Sequence, residues 1–254
     1  MVIRKVETGI SGLDKMLRGG FPEGRMILVM GGPGTGKTIF CSQFLYYGAK
    51  QEEKTVYISL DENRSHFLDE MLSFGWDFRS LEQDRKFTFI DAGGVRRIPE
   101  KAQVGDSQVR GKELASARLI DNIFTIFDGT RSTSIERFIG DLGAQRVVLD
   151  SISGLLFRFP EAWEKRKAVL DIMEALEGAG ATCLITSEAM SIGEERQVQP
   201  EEYLCHGAIL LQTLTTGDRT VRILKMRGTE VDSVPRPYQI GEAGIQVHSD
   251  KSIY

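Results

Sequence analysis

Apolar residues occur along this chain in short continuous runs, separated by stretches in which they recur every three or four positions. Met26–Met30, Thr55–Leu60, Lys86–Asp91, Arg146–Asp150 and Thr182–Ser187 are rich in β-branched, aromatic and aliphatic residues. Runs of that length and content predict strands covered on both faces. The intervening periodicity predicts helices over Thr38 to about Gln51, over Asn63–Ser73 with a stop at Phe74-Gly75-Trp76-Asp77, and over Trp163–Glu177 with a stop at Gly178. Leu114–Phe127 and Thr133–Leu142 read as two further helices joined at Asp128-Gly129. Near the start, Ser11 is placed to cap a short helix from Gly12 to Leu17 that Gly19 and Gly20 end. Beyond Pro200 the pattern turns to alternation: Ala208–Leu214, a Thr216-Gly217-Asp218 turn, Thr220–Met226, Tyr238–Ile240 and Gly244–His248. These predict antiparallel hairpins. The order predicts an α/β fold, a central mostly parallel twisted sheet flanked by helices and finished by C-terminal hairpins. With no linker and no repeat, residues 1–254 read as a single domain.

Composition changes this picture little. Over 254 residues, 41% hydrophobic and 27% charged content is ordinary for a soluble globular protein. No apolar run approaches a membrane span and the N-terminus has no signal-peptide apolar core, so a cytoplasmic protein without membrane association is expected. Cys41, Cys183 and Cys205 are widely spaced; Cys41 and Cys183 sit in apolar surroundings, as buried reduced thiols do. The net charge of −4 gives no general pull toward nucleic acid, which would have to bind a local basic patch. The polar stretch 93–112, with Arg96, Arg97, Lys101, Arg110 and Lys112 diluted by Glu100, Asp106 and the neighbouring Glu113, reads as a solvated loop, or else as a pore-facing or nucleic-acid loop. Met190–Glu202 reads as a second polar loop.

The chemistry begins where the first strand ends. Gly31 and Gly32 are followed by Pro33-Gly34-Thr35-Gly36-Lys37-Thr38-Ile39 and then by helical periodicity. This is the strand–loop–helix spacing of a polyphosphate cradle. Its glycines admit backbone angles that let successive N–H groups point inward at the positive end of the helix. Gly32, Pro33, Gly34, Thr35, Gly36, Lys37, Thr38 and Ile39 are thus the candidate nucleotide-binding residues. Lys37 would neutralise β/γ-phosphate charge, and the Thr38 hydroxyl would take one position on Mg²⁺. Asp150, ending a buried strand downstream, is the candidate carboxylate that holds Mg²⁺ through water. Asp61-Glu62 stand at the carboxyl end of another strand, where open parallel sheets place their chemistry. Thr186, Ser187 and Glu188 are expected beside Asp150.

Together these stretches resemble the RecA-type ATPase core, and more narrowly the single-domain members of the KaiC family. The matching segments are Thr8–Asp14, Gly19–Arg25, the phosphate loop, Gln43–Tyr46, Asp61-Glu62, Phe74–Asp77, Val147–Ser151 and Ile223–Thr229. The resemblance implies an ATPase using ATP and Mg²⁺, with Glu62 orienting or deprotonating the lytic water. Asp61 stands where the clock protein has a second glutamate, and its reach is shorter. Lys225 and Arg227, two apart, share one face of a strand, which by spacing alone reads as a solvated hairpin. The resemblance implies instead that they reach the phosphates of a neighbouring subunit in a homo-oligomeric ring, usually a hexamer. The adjacent Ser and Thr that the clock protein phosphorylates correspond here to Glu202 and Tyr203, so autokinase activity of that type is not expected.

Two other functions fit the same core. One is an ATP-gated recombinase paralogue that grips single-stranded DNA through 93–112 and 190–202; few aromatics in those loops disfavour it. The other is an ATP-dependent signalling or scaffold protein whose output is affinity for a partner.

Overall fold

The computed structural model describes residues 3–92, 125–127, 132–156, 159, 161–189, 191–192, 195–196 and 198–252. In chain order the first half holds β1 (Lys5–Val6), α1 (Leu13–Met16), β2 (Phe21–Pro22), β3 (Met26–Gly31), α2 (Lys37–Lys50), β4 (Thr55–Ser59), α3 (Arg64–Ser73), α4 (Phe78–Gln83) and β5 (Phe87–Asp91). Then follow β6 (Thr125–Phe127), β7 (Ser132–Ser134), α5 (Ile135–Leu142), β8 (Arg146–Asp150), α6 (Ile152–Leu156), α7 (Ala162–Gly178) and β9 (Thr182–Glu188). The chain ends in β10 (Ser191–Ile192), β11 (Glu195–Arg196), α8 (Pro200–Leu204), β12 (Gly207–Thr213), β13 (Arg219–Met226), β14 (Arg236–Gly241) and β15 (Gly244–Val247).

A nine-stranded sheet, ordered β15-β14-β13-β12-β3-β9-β8-β4-β5, organises these elements. From β12 to β5 every neighbouring pair is parallel, and β13, β14 and β15 extend the other edge antiparallel. The continuous apolar runs follow from burial on both faces. Ile27 and Val29 of β3 pack into one cluster with Phe40, Phe44 and Leu45 of α2 and Phe67 and Leu68 of α3. Met26, Leu28 and Met30 of the same strand pack into the other, with Ile135 and Ile139 of α5 and Val169, Ile172 and Leu176 of α7. The expected α/β architecture is the one observed.

Four local expectations change. The first helix is preceded not by a Ser11 cap but by Gly12 at φ 81°, and its side-chain cap is absent. The turn needs a left-handed residue, and a Cβ on Gly12 would lie 2.0 Å from the Val247 carbonyl oxygen. Thr125–Phe127, expected to end a helix, is β6, paired antiparallel with β7; a threonine, an isoleucine and a phenylalanine suit a strand better than a helix end. Thr133 likewise lies in β7, and the helix begins after the Ser134 cap, which accepts from Arg137 N at 3.3 Å. The stretch Met190–Glu202 is not wholly loop: it contains the β10–β11 hairpin and the start of α8, where Pro200 occupies the first helical turn. The short pair β1–β2 and the helices α4 and α6 carry too little periodicity to be foreseen. The stretch 93–112, the helix over 114–124 and the Asp128-Gly129 joint lie outside the described residues.

All three cysteines are buried free thiols, with Cys183 and Cys205 pushed up to about 12 by burial. Among the described residues no His/Cys/Asp/Glu cluster of metal-holding form occurs, and no helix is long and apolar enough to cross a membrane.

Candidate functional site

The parallel register aligns the carboxyl ends of β3, β9, β8 and β4. Gly31 stands opposite Glu188, and Asp150 opposite Ser59. The loop leaving β3 turns through Gly34 at φ 74° and Gly36 at φ 84° before α2 begins at Lys37. Those angles belong to the left-handed region that glycine admits, and the loop ends at the N-terminus of a fourteen-residue helix, the positive end that favours an anion. Thr35 is buried and bends its hydroxyl back onto the Gly32 carbonyl at 2.8 Å. Pro33 and Gly34 are exposed, at the open rim of the loop, while Ile39 is partly buried against the core.

Lys37 Nζ donates to the Gly31 and Gly32 carbonyls at 2.9 and 3.1 Å, which folds it over the loop. Burial lowers its pKa, and the carboxylates of Asp150 and Glu188 act in the opposite sense. Thr38 Oγ1 donates to Asp150 Oδ2 at 2.8 Å, and Tyr57 OH donates to the same oxygen at 2.6 Å. Thr186 Oγ1 donates to the other carboxylate oxygen. A carboxylate ringed by three hydroxyls, one of them on the phosphate loop, is a donor set suited to a hydrated divalent cation. Its fit to Mg²⁺ rests on this all-oxygen chemistry.

Beyond β4, the Ser59 hydroxyl holds the turn by donating to the Glu62 carbonyl and accepting from Glu62 N, both at 2.8 Å. Glu62 is half-buried, with its pKa raised to about 7; burial is the main cause, followed by the Glu70 carboxylate of α3, Asp150 and a hydrogen bond to Glu70. A carboxyl with that pKa is poised to take a proton near neutral pH. Asp61 is exposed and accepts from Ser151 Oγ at 3.0 Å, which brings it to the residue after Asp150. The Asp150–Ser151 peptide is cis.

Lys225 and Arg227 sit elsewhere. Lys225 pairs with Ala208, and Ala208 lies opposite Leu28, near the start of β3. At ordinary strand rise and spacing, Lys225 is about 10 Å down the strands and about 9.5 Å across from Gly31. Both cations neighbour Cys205, and Arg227 Nη2 donates to the Tyr203 carbonyl at 2.9 Å. The structure therefore gathers Lys37, Thr38, Asp150 and Glu62 at one end of the sheet and leaves Lys225 and Arg227 toward the other.

Tyr57, Tyr238 and Ile240 are among the site residues that escaped the sequence reading, as are Ser59 and Glu70 around Glu62. Tyr57 is a core residue of β4 whose hydroxyl reaches Asp150, and burial pushes its pKa well up. Tyr238 of β14 donates to the Thr35 carbonyl, and the Ile240 methyl group would lie 2.7 Å from a Cβ on Gly36. The C-terminal hairpin thus braces the phosphate loop. No motif announces these contacts; a strand tyrosine with its ring in a core is their only sequence signal.

A family model described as "ATPase: KaiC" matches residues 6–252. A UPF0273 protein of Methanocaldococcus jannaschii is 35% identical over 258 residues, covering 98% of each chain. Another, from Pyrococcus furiosus, is 34% identical over 254 residues, covering 98% of this chain and 96% of its own. The crystal structure of a KaiC-like protein from Pyrococcus horikoshii superposes with a TM-score of 0.75 at 31% identity, covering 97% of this chain and 99% of that one.

Proposed function

The chain belongs to the KaiC ATPase family, and from that premise we propose that it is a Mg²⁺-dependent ATPase whose single domain, 1–254, assembles into a ring with its active sites shared between subunits. The observation that carries the shared site is the separation of the cationic pair from its own phosphate loop. A catalytic arginine that stands away from the nucleotide of its own chain would serve a neighbour's, and head-to-tail contacts of that kind form rings where their rotation closes.

In this reading the loop Gly32–Ile39 holds the triphosphate of ATP by backbone N–H groups. Lys37 leaves the Gly31 and Gly32 carbonyls to bind phosphate oxygens. When bound, Mg²⁺ supplies charge neutralisation at the β/γ-phosphates. Thr38 and Asp150 would hold it, the carboxylate fixed by Tyr57 and Thr186. Glu62 takes the proton of the attacking water as it adds to the γ-phosphorus, and ADP leaves from the opposite side. Lys225 and Arg227 of the adjacent copy neutralise the equatorial oxygens. Catalysis is then positioning and charge stabilisation, and hydrolysis works as a conformational switch.

Mixing two strongly slowed variants tests the shared site. Glu62→Gln keeps its cationic pair but lacks the base, whereas Arg227→Ala keeps the base but lacks the arginine. In an equal mixture about a quarter of heterologous interfaces pair an intact loop with an intact arginine. Recovery toward that fraction of wild-type turnover is expected, and no recovery in subunits shown to exchange would overturn the shared site. The same assay with single-stranded DNA at low salt separates a switch, indifferent to DNA, from a recombinase-like activity, which DNA would stimulate.

A further inference from the structure

Between the two ends of the sheet stands α8, and its contacts reach both. At the phosphate-loop end, Glu201 is 3% exposed and its carboxylate accepts from Ser187 Oγ at 2.8 Å. Ser187 lies opposite Met30, one row before the loop. Its hydroxyl is also 3.2 Å from Ser153 Oγ, which accepts from Glu188 N at 2.7 Å. Ser153 follows Asp150 by three residues on α6. At the other end, the Tyr203 carbonyl accepts from Arg227 Nη2, and the helix ends at Leu204, after which an extended Cys205 leads to His206, whose carbonyl accepts from Arg227 N at 2.8 Å. The capping box of Gln199 and Glu202 makes the segment a fixed unit from its first turn.

A buried carboxylate is expensive unless it is hydrogen-bonded. A solvent-facing Glu201 would hold this short helix equally well as a piece of secondary structure, yet the chain buries it against a hydroxyl of the nucleotide end. We propose that Glu201 is a positioning residue: through α8 it ties the state of a subunit's own phosphate loop to the placement of Arg227 for the next subunit's ATP. This rests on the shared-site reading above. Ser187 lies one row from the loop that nucleotide would fill, Ser187 holds Glu201, and α8 carries the carbonyl that accepts from the guanidinium. Adjacent sites in the ring then fire in dependence on one another rather than independently.

The test compares full-length wild type with Glu201→Ala, Glu201→Gln, Arg227→Ala and the Glu201→Ala/Arg227→Ala double variant. Affinity for a non-hydrolysable ATP analogue and turnover are measured on each. Glu201→Ala should bind the analogue within about threefold of wild type and lose threefold or more in kcat, since the lost interaction acts on the neighbour's transition state. Glu201→Gln, whose amide oxygen still accepts from Ser187, should restore turnover. The double variant should be no slower than Arg227→Ala alone, because both changes disable the same arginine. Turnover of Glu201→Ala within threefold of wild type, failure of Glu201→Gln to restore it, or losses that multiply in the double variant would each overturn the proposal. If Glu201→Ala melts early, Ser187→Ala removes the same bond from its other end and is judged by the same criteria. Wild-type turnover by Arg227→Ala would instead remove the shared site itself, so the two failures are told apart.

Discussion

As the proposed base, Glu62 would give hydrolysis a pH dependence through its own ionisation. Its carboxyl is held at about 7, chiefly by burial, then by the Glu70 and Asp150 carboxylates and by the hydrogen bond to Glu70. Only the ionised form can take a proton from water. About half of the sites are competent at pH 7, about a tenth at pH 6 and about nine-tenths at pH 8. At subsaturating ATP with Mg²⁺ in excess, where the rate reports the free chain, log kcat/KM should climb with a slope near one on the acid side and level off above neutrality. Glu70→Gln removes a like charge while keeping a hydrogen-bonding group. Its midpoint should move to lower pH, but not to the ordinary carboxylate value, since the largest cause, burial, is unchanged.

The same group leaves a second signature that does not depend on catalysis. An acid whose folded pKa is raised binds its proton more tightly in the folded chain than in the unfolded one. The stability it contributes is full below the unfolded value of 4.5 and is lost as pH rises through about 7. Glu62→Gln, permanently neutral, should therefore melt close to wild type in mild acid and above it at pH 8. A flat kcat/KM profile across neutrality, together with a melting difference that does not change with pH, would refute both expectations.

Other substitutions probe other parts of the argument. Lys37→Ala should weaken ATP binding by on the order of 100-fold or more, since it removes a part-buried charge that pairs with phosphate; calorimetric titration showing wild-type affinity would remove the loop from the site. Gly12→Ala should cost at least about 2 kcal/mol in urea unfolding, because a left-handed φ of 81° is strained for alanine and the new Cβ meets the Val247 carbonyl. An unchanged midpoint would show that this turn relaxes freely. Arg146, 2% exposed, pairs with Glu53, donates to the Glu7 and Phe44 carbonyls at 2.8 and 2.9 Å, and lies over the Phe44 ring. Arg146→Ala strands all of these partners and should cost about 3–5 kcal/mol; a loss below 1 kcal/mol would mean that water takes over the arginine's role.

What the chain made legible was whatever rests on neighbours in sequence. The β3 run, the glycine spacing after it and the acid at the end of β8 are local patterns, and each appears where expected. Ser11 shows the limit of such rules: a serine before a helix suggests a cap, but the turn demanded positive φ, and the adjacent glycine met that demand. Short helices such as α4 and α8 offer one or two turns, too few for a period to emerge. Tyr57 and Tyr238 were legible as core rings but not as donors, because their hydroxyls meet residues 93 and 203 positions away in sequence.

Lys225 and Arg227 mark the boundary most clearly. The period of a strand places both on one face, and nothing local goes further. Which end of the sheet they occupy depends on β12 lying parallel to β3, with Gly207 opposite Ile27, and on β13 then returning beside it. Had β12 paired with β3 in the opposite sense, the same two cations would stand beside their own phosphate loop, and a self-contained active site would follow. The parallel register sends them away from it. Strand direction at one sheet position thus turns two surface cations into candidates for a neighbour's nucleotide, and gives the short helix that holds Arg227 something to transmit.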